Sequence, residues 1–285
     1  MENKQSLKSN ARSYYEEIAQ AFDKIAPSYD RAYSSKSNPL MGWLRQESLS
    51  LIQETFTPGN NLLEIGCGTG EEALFLADAG YHILATDISP LMIAKTRKKV
   101  QNAAMQKQIT ALTLSANLLH TLTPSESFDG AYSSFGALNC EISLQRVAYG
   151  LKKVLRPKAP FICSVMARWC PFEIFWFLFH FQPRKAVRRL QSPWKPANLR
   201  VGNRTTTTVP VRYYSAKEIH SPFLKFFNIE RTLSLPLLLP PPYLANLFIR
   251  FQRIFKKIEY IERKMREQWP WRNMGDHIAI VLRRK

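Results

Sequence analysis

Short apolar runs and longer apolar stripes alternate along the first 166 residues of this chain. Leu62-Leu63-Glu64-Ile65 reads as a buried strand, and Gly66, Gly68 and Gly70 follow it on alternate positions. Glu71 and Glu72 then open a stretch through Leu74, Phe75, Leu76 and Ala79 that stops at Gly80, a helix with acids in its first turn. The same alternation repeats downstream. Residues 81–87 predict a second strand, Ser89 and Pro90 start a helix running to about residue 105, and residues 109–115, 128–134 and 160–165 predict three further strands, with a helix at 141–155. Two helices precede the first strand, one over 5–22 with Tyr14, Ile18 and Phe22 on a stripe, the other over 40–55 through Leu40, Trp43, Leu44, Leu49 and Ile52. Strands alternating with helices predict a parallel sheet covered on both faces.

Beyond residue 166 the pattern changes. Residues 170–181 are apolar on nearly every face and run directly into Arg184, Lys185, Arg188 and Arg189. A membrane-spanning helix needs roughly twenty such residues, so this run is either buried or interfacial. Residues 191–210, with Pro193, Pro196, Gly202 and four consecutive threonines, read as a loop, and 209–213 as a short strand. Ser215 and Glu218 form a capping box that fixes a helix start. Residues 227–235 predict the sixth strand, and the prolines at 236 and 240–242 forbid a transmembrane helix there. A single helix over 243–267 carries Leu247, Phe248, Phe251, Ile254, Phe255, Ile258 and Ile261 on one side and Arg250, Arg253, Lys256, Lys257, Arg263 and Lys264 on the other. Residues 277–282 predict a seventh, antiparallel edge strand.

A length of 285 residues is enough for one domain with an elaboration and a sizeable core. The four cysteines show no paired spacing, which argues against a disulfide framework or a zinc knuckle, and no metal site is expected; a cytoplasmic setting is the simpler reading. No apolar segment follows Met1, so a cleaved secretion signal is not expected. Charge changes the picture more. Residues 1–140 hold 12 Lys and Arg against 14 Asp and Glu, a balance of −2, while residues 141–285 hold 28 against 8, a balance of +20. The positive charge therefore belongs to the side of the chain that meets a substrate or partner.

The chemistry concentrates at the glycine turn. A strand ending in Glu64 before the spaced glycines suits a cationic, phosphate-free ligand better than a pyrophosphate. Asp87, seventeen residues after Gly70 at the end of the next strand, stands close to the spacing of a ribose-binding acid. The series L-L-E-I-G-C-G-T-G, A-T-D-I-S-P-L-M and F-D-G-A-Y-S-S-F-G-A-L-N resembles the class I S-adenosylmethionine-dependent methyltransferases. The segment Ala21-Phe22-Asp23-Lys24-Ile25-Ala26-Pro27-Ser28-Tyr29-Asp30 is similar to the start of the small-molecule branch that includes the ubiquinone and menaquinone methyltransferases.

The resemblance implies a Rossmann-like seven-stranded sheet with a helical cap inserted between strands five and six. It divides the chain into an N-terminal lid (1–57), a cofactor core (58–166), an aromatic and basic cap (167–213) and a C-terminal part (214–285). S-adenosyl-L-methionine would be the donor, leaving S-adenosyl-L-homocysteine. Gly66, Cys67, Gly68 and Gly70, with Glu64, would line its methionyl part, Asp87 its ribose, and Ile88, Met92, Asn117 and Leu118 its adenine. Asn117 replaces the usual Asp, yet an amide can still pair with an exocyclic amine. Tyr29 would close over the ligand or simply pack. Ser134 and Phe135 would border the reacting centre, under a roof of residues 172–181. His180, Tyr213 and Tyr243 are available as bases without a motif around any of them. The acceptor would be small and largely apolar. The basic helix would pack on the domain, attach to an anionic membrane, or, least favoured, bind RNA; a cofactor-binding protein acting through that basic face is the rival to an enzyme.

Overall fold

The computed structural model describes residues 2–35, 37–191, 194–201 and 205–285, with the backbone alone over 2–10. The strand segments are β1 (Asn61–Ile65), β2 (His82–Asp87), β3 (Ile109–Thr113), β4 (Gly130–Ser133), β5 (Pro160–Met166), β6 (Trp194–Val201), β7 (Thr205–Arg212), β8 (Phe227–Leu235) and β9 (His277–Arg284). Seven of them form one sheet in the order β3-β2-β1-β4-β5-β9-β8, while β6 and β7 pair separately as a hairpin. The first five strands run parallel, and β9 lies antiparallel to both β5 and β8.

The last strand is therefore not at the edge. It wedges between β5 and β8, and its buried run from His277 to Leu282 has the all-apolar character of an interior strand. The edge falls instead to β8, which carries a register shift between Ile229 and Arg231.

Helices α1 (Glu2–Ile25), α2 (Tyr29–Tyr33) and α3 (Pro39–Thr55) precede the sheet, and α4 (Glu71–Asp78), α5 (Pro90–Asn102) and α6 (Leu144–Val154) connect its strands. One face of the sheet packs Leu144, Val147, Leu151 and Val154 of α6 against Ala131, Phe161 and Ile280. The other packs Leu51 and Ile52 of α3 and Ala73, Leu76 and Ile93 of α4 and α5 against Leu62, Ile83 and Ala85. Both faces of the parallel strands are thus covered, as the unbroken apolar runs require.

The insertion after β5 is helical only at first. Helices α7 (Pro171–Phe179), α8 (Pro183–Ala186) and α9 (Arg188–Gln191) lead into the β6-β7 hairpin, where a loop is expected from the prolines and threonines. Alternation explains the hairpin. Val209 and Val211 point inward against Ile18 and Ala21 of α1, while Thr205 and Thr206 face solvent. Pro193 and Gly202 lie outside the described residues.

Helix α10 (Ala216–His220) begins on the expected capping box, with Ser215 and Glu218 satisfying each other's backbone amides. The basic segment is not one helix. It divides into α11 (Ala245–Arg250) and α12 (Gln252–Met265) around Phe251. The proline turn ahead of it is held by Glu262 of α12, whose buried carboxylate accepts from the amides of Leu237, Leu238 and Leu239. Such a partner is invisible in the pattern because it comes from 23 or more residues downstream.

Candidate functional site

All five parallel strands deliver their carboxyl ends to one edge, and the loops there surround a crevice. At the end of β1 the backbone amides of Gly66 and Cys67 both donate to the carbonyl of Thr86, at 2.8 and 2.9 Å. The chain can turn this way because Gly66 and Gly68 hold φ of +76° and +54°. At Gly66 there is also no room for a side chain, since a Cβ would come within 2.2 Å of the Ala137 methyl.

Asp87 closes the turn from the next strand. Its carboxylate accepts from the amides of Gly68 and Ser89, both at 2.9 Å. Burial pushes its pKa up from 3.8 to about 6, against the downward pull of those amides. Glu64 is also buried and lines the crevice. Its Oε2 has no hydrogen-bond partner among the described residues, the Tyr132 hydroxyl standing beside it without the geometry. Burial, then the nearby Glu72, raises its pKa well above the carboxylate range.

The N-terminal segment is latched over this crevice by its own acids. Asp23 accepts from the Ser89 hydroxyl and the Leu91 amide, and Asp30 accepts from the Thr69 hydroxyl and sits 3.0 Å from Lys99. The Tyr29 ring is thereby held against Gly68, 3.5 Å from where a Cβ would be. Tyr15, Ile18 and Phe22 of α1 complete that wall. Arg45 and Glu72, paired at 2.6 Å, line it from α3 and α4.

Tyr29, Glu64, Gly66, Cys67, Gly68, Asp87, Ile88, Met92, Ser134 and Phe135 are thus brought around one crevice. Gly70 is not on its lining; at φ +78° it turns the chain into α4, against Thr96. Asn117 and Leu118 are also off it, Asn117 buried behind and Leu118 turned outward, and Leu114, Ser115 and Ala116 take their place.

Beyond Tyr29, Tyr33 and Phe135 the crevice opens into a second chamber of about 740 Å³. Its apolar wall comes from Phe22, Met41, Leu44 and Met166 and from Leu199, Val209 and Val211 of the hairpin. The hairpin and α1 thus form the roof. Residues 172–181, expected there, line neither cavity, because α7 packs outward against α12 through Phe172 and Phe255, ring centroids 6.4 Å apart. Between crevice and chamber, Phe135 holds φ +55°, a conformation that costs a bulky residue energy and marks a constrained site.

The three expected bases separate clearly. His180 is exposed, its Nδ1 2.8 Å from the Trp176 carbonyl, and lines neither cavity. Tyr213 and Tyr243 do line the chamber; Tyr213 is buried and its phenol is raised by that burial, so it is held as a hydrogen-bond donor, whereas Tyr243 is half exposed. Sequence reasoning misses the chamber's own charged cluster. Arg189 lies 2.6 Å from both Glu173 and Asp276, and His277 Nδ1 lies 3.0 Å from Asp276. Cys170, Glu173 and Asp276 have the proximity of a metal-binding trio, but the Arg189 guanidinium already supplies the cation between the two carboxylates.

A carboxylate held only by backbone amides, an orphaned acid beneath it and a cradle of bare backbone fit a neutral diol and a cationic group on one ligand. Those are the ribose and the ammonium or sulfonium of S-adenosylmethionine. The comparisons with known proteins agree. Residues 62–158 match a methyltransferase domain family. An uncharacterized protein of Methanocaldococcus jannaschii is 30% identical over 210 residues, covering 73% of this chain and 74% of that one. The demethylmenaquinone methyltransferase of Symbiobacterium thermophilum is 30% identical over 166 residues, 55% of this chain and 61% of that enzyme, so the match spans less than two thirds of it. Among solved structures, an S-adenosylmethionine-dependent methyltransferase from Mesorhizobium loti aligns over 86% of this chain and 100% of its own (TM-score 0.55, 17% identity). A geranyl diphosphate methyltransferase in complex with the cofactor aligns over 90% and 91% (TM-score 0.55, 12% identity). With the seven-stranded sheet and the glycine crevice, these matches make the chain a class I S-adenosylmethionine-dependent methyltransferase that resembles the quinone methyltransferases.

Proposed function

We propose that this enzyme methylates a small, largely apolar acceptor, such as a quinone-like aromatic or a lipid precursor. The observation that carries the reading is the largely apolar chamber of about 740 Å³, with Arg189, Asp276 and His277 on its wall, that adjoins the glycine crevice at Tyr29 and Phe135. The demethylmenaquinone methyltransferases among the relatives support the quinone-like class. Asp87 would hold the ribose, Glu64 and the backbone of Gly66, Cys67 and Gly68 the methionyl part, and Ile88, Met92 and Ala116 the adenine. The donor supplies an activated methyl group. The protein's contribution is to exclude water and to aim the acceptor, which alone can account for several kcal/mol of a barrier. Mass spectrometry of products from a panel of hydroquinones, phenols and lipids tests this, with Asp87→Ala as the control. Methylated product from polar acceptors only, or none from any, would refute it.

A second reading concerns where the acceptor comes from. Phe175 and Phe179 of α7 and Phe181 just after it are 71%, 80% and 93% exposed, and Ile254 and Tyr260 of α12 are exposed as well. Arg184 and Lys185 follow them directly in the chain, and Arg250, Lys256 and Lys257 are carried by α11 and α12. Exposed aromatic side chains together with cations suit the surface of an anionic bilayer, each nearby cation adding about 1 kcal/mol. Among the described residues no helix is long and apolar enough to cross a membrane, so the contact would be peripheral. Co-sedimentation with phosphatidylglycerol vesicles but not phosphatidylcholine vesicles is expected; equal binding to RNA would favour a nucleic-acid surface instead.

A further inference from the structure

Because β9 runs antiparallel between β5 and β8, its first residue lies at the edge of the sheet where the parallel strands end. His277 pairs across to Met166, the last residue of β5. It is buried and lines the acceptor chamber. Its Nδ1 faces Asp276 Oδ2 at 3.0 Å, which turns Nε2 away from the carboxylate. The approach is off the ideal hydrogen-bond line, as such pairs commonly are before a substrate is in place.

Asp276 is itself fixed. Arg189 Nη2 donates to its Oδ1 at 2.6 Å, while Arg189 Nη1 donates to the carbonyls of Ala167 and Asp276, both at 3.1 Å. The Arg189 guanidinium also stacks 4.9 Å from the centre of the Tyr213 ring. Burial alone would raise the Asp276 carboxyl, but Arg189 and then His277 pull it well below the usual range, so it stays ionised. His277 thus faces Asp276, the residue just before its strand, and around Asp276 stand Arg189 on α9, Glu173 on α7 and the phenols of Tyr213 and Tyr243. Arg188, half exposed, stands 3.9 Å from Glu173 and is screened by solvent. The buried part of this cluster has two carboxylates and one guanidinium.

We propose that His277 is the general base of the reaction, oriented by Asp276 and Arg189. The inference rests on an acceptor that must lose a proton. Methyl transfer to a hydroxyl or an enolic carbon releases one proton per turnover. The electron pair of the broken O–H or C–H bond goes to the acceptor, which forms the new bond to the methyl carbon, while the methyl–sulfur pair returns to sulfur. The proton passes to Nε2, the ring nitrogen left free when Nδ1 faces the Asp276 carboxylate 3.0 Å away. Asp276 and Arg189 are positioning residues.

The test uses para-nitrophenol as an ionisable aromatic probe with S-adenosylhomocysteine present. Binding is followed by phenolate absorbance and by the imidazole resonances in proton NMR. Expected with the wild type is a bound phenolate, at a pH where the free probe is neutral, together with protonation of one histidine. His277→Asn and His277→Gln should bind the probe neutral, Asp276→Asn should weaken the effect, and His180→Asn should leave it unchanged. On an accepted substrate, His277→Asn should lower kcat by about 100-fold or more and flatten its acid limb, with KM for the donor unaltered. Calorimetry with S-adenosylhomocysteine on the same samples separates the failures. If that ligand binds but the probe stays neutral, does not bind, or ionises equally in the His277 variants, the base assignment falls alone. If the ligand gives no heat, the methyltransferase site falls with it. Should the variants not fold, the wild-type spectrum and resonances decide by themselves.

Discussion

Two aspartates at the same edge of one sheet show how differently its two halves are built. Asp87 on the cofactor side is held by backbone amides, those of Gly68 and Ser89 foremost, and burial raises it from 3.8 to about 6. Asp276 on the acceptor side is as deeply buried, yet Arg189 and His277 depress it. The first carboxylate is left short of donors, which is the condition of a ligand site. The second is saturated by its own protein, which is the condition of a scaffold. The cofactor half awaits its partner; the acceptor half carries its counter-ions within the fold.

The comparison breaks most sharply at Arg189. Arg189→Met removes the cation between Glu173 and Asp276 and leaves both carboxylates buried. Removing one side of such a pair costs about 3–5 kcal/mol, so thermal unfolding should show the largest loss of any change named here. An unfolding temperature equal to that of the wild type would mean the cluster is hydrated and not a scaffold. Asp87→Asn should do the reverse. It relieves a buried acid, so stability is kept or improved, while S-adenosylhomocysteine affinity by calorimetry falls about 100-fold, the equivalent of roughly 2.7 kcal/mol.

The pH dependences run in opposite directions. Asp87 titrates higher folded than unfolded, so the ligand-free protein loses stability as pH rises from about 4 to about 6. Over the same window the ionised Asp87 becomes available and ligand affinity should rise, by up to about tenfold per pH unit. Asp276 titrates lower folded, so its stabilisation is present above about pH 4 and lost as pH falls below that. Affinity that is flat between pH 4 and 7 would sink the Asp87 half of the contrast.

A smaller effect is expected at the capping box that starts α10. Ser215→Ala removes the hydroxyl that accepts from Glu218 and should cost about 1 kcal/mol by urea unfolding, with no change in ligand affinity. The cap lies behind the chamber, so any loss of affinity would show that the two halves are coupled through the Arg168 and Arg212 contacts to Glu218.

Much of this was legible in the chain because the cofactor half is made of local signals. Glu64, the glycines and Asp87 sit at strand ends, where position along the sequence fixes position in space. Ser89 as cap and Ser215 with Glu218 follow the same logic. Asn117 and Leu118 went astray because the segment after β3 is a tight helical turn, Ala116–Thr121, which leaves only Ala116 facing the crevice. The acceptor half is non-local. His277 stood only as the first residue of a predicted edge strand, and the insertion of β9 beside β5 is what brings it to the chamber. Arg189 read as part of a basic run until the fold set it between acids on α7 and before β9. Tyr213 and Tyr243 were reachable as candidates because they follow strand and turn signals, yet the role of Tyr213 as a donor comes from burial that the sequence does not carry.

The smallest expected effect lies where neither half has a claim. Phe179 is four-fifths exposed at the end of α7, whose inward contact is made by Phe172. Phe179→Ser should therefore change folding stability by less than about 0.5 kcal/mol, the range of surface substitutions. A large apolar side chain that does nothing for the fold must either be a liability for solubility or serve contact with another phase. Vesicle co-sedimentation separates these. Loss of binding to phosphatidylglycerol vesicles at unchanged stability assigns Phe179 to the membrane, and unchanged binding with improved solubility assigns it to neither half. A drop in stability beyond that range would mean that the Phe179 ring contributes to packing within the fold.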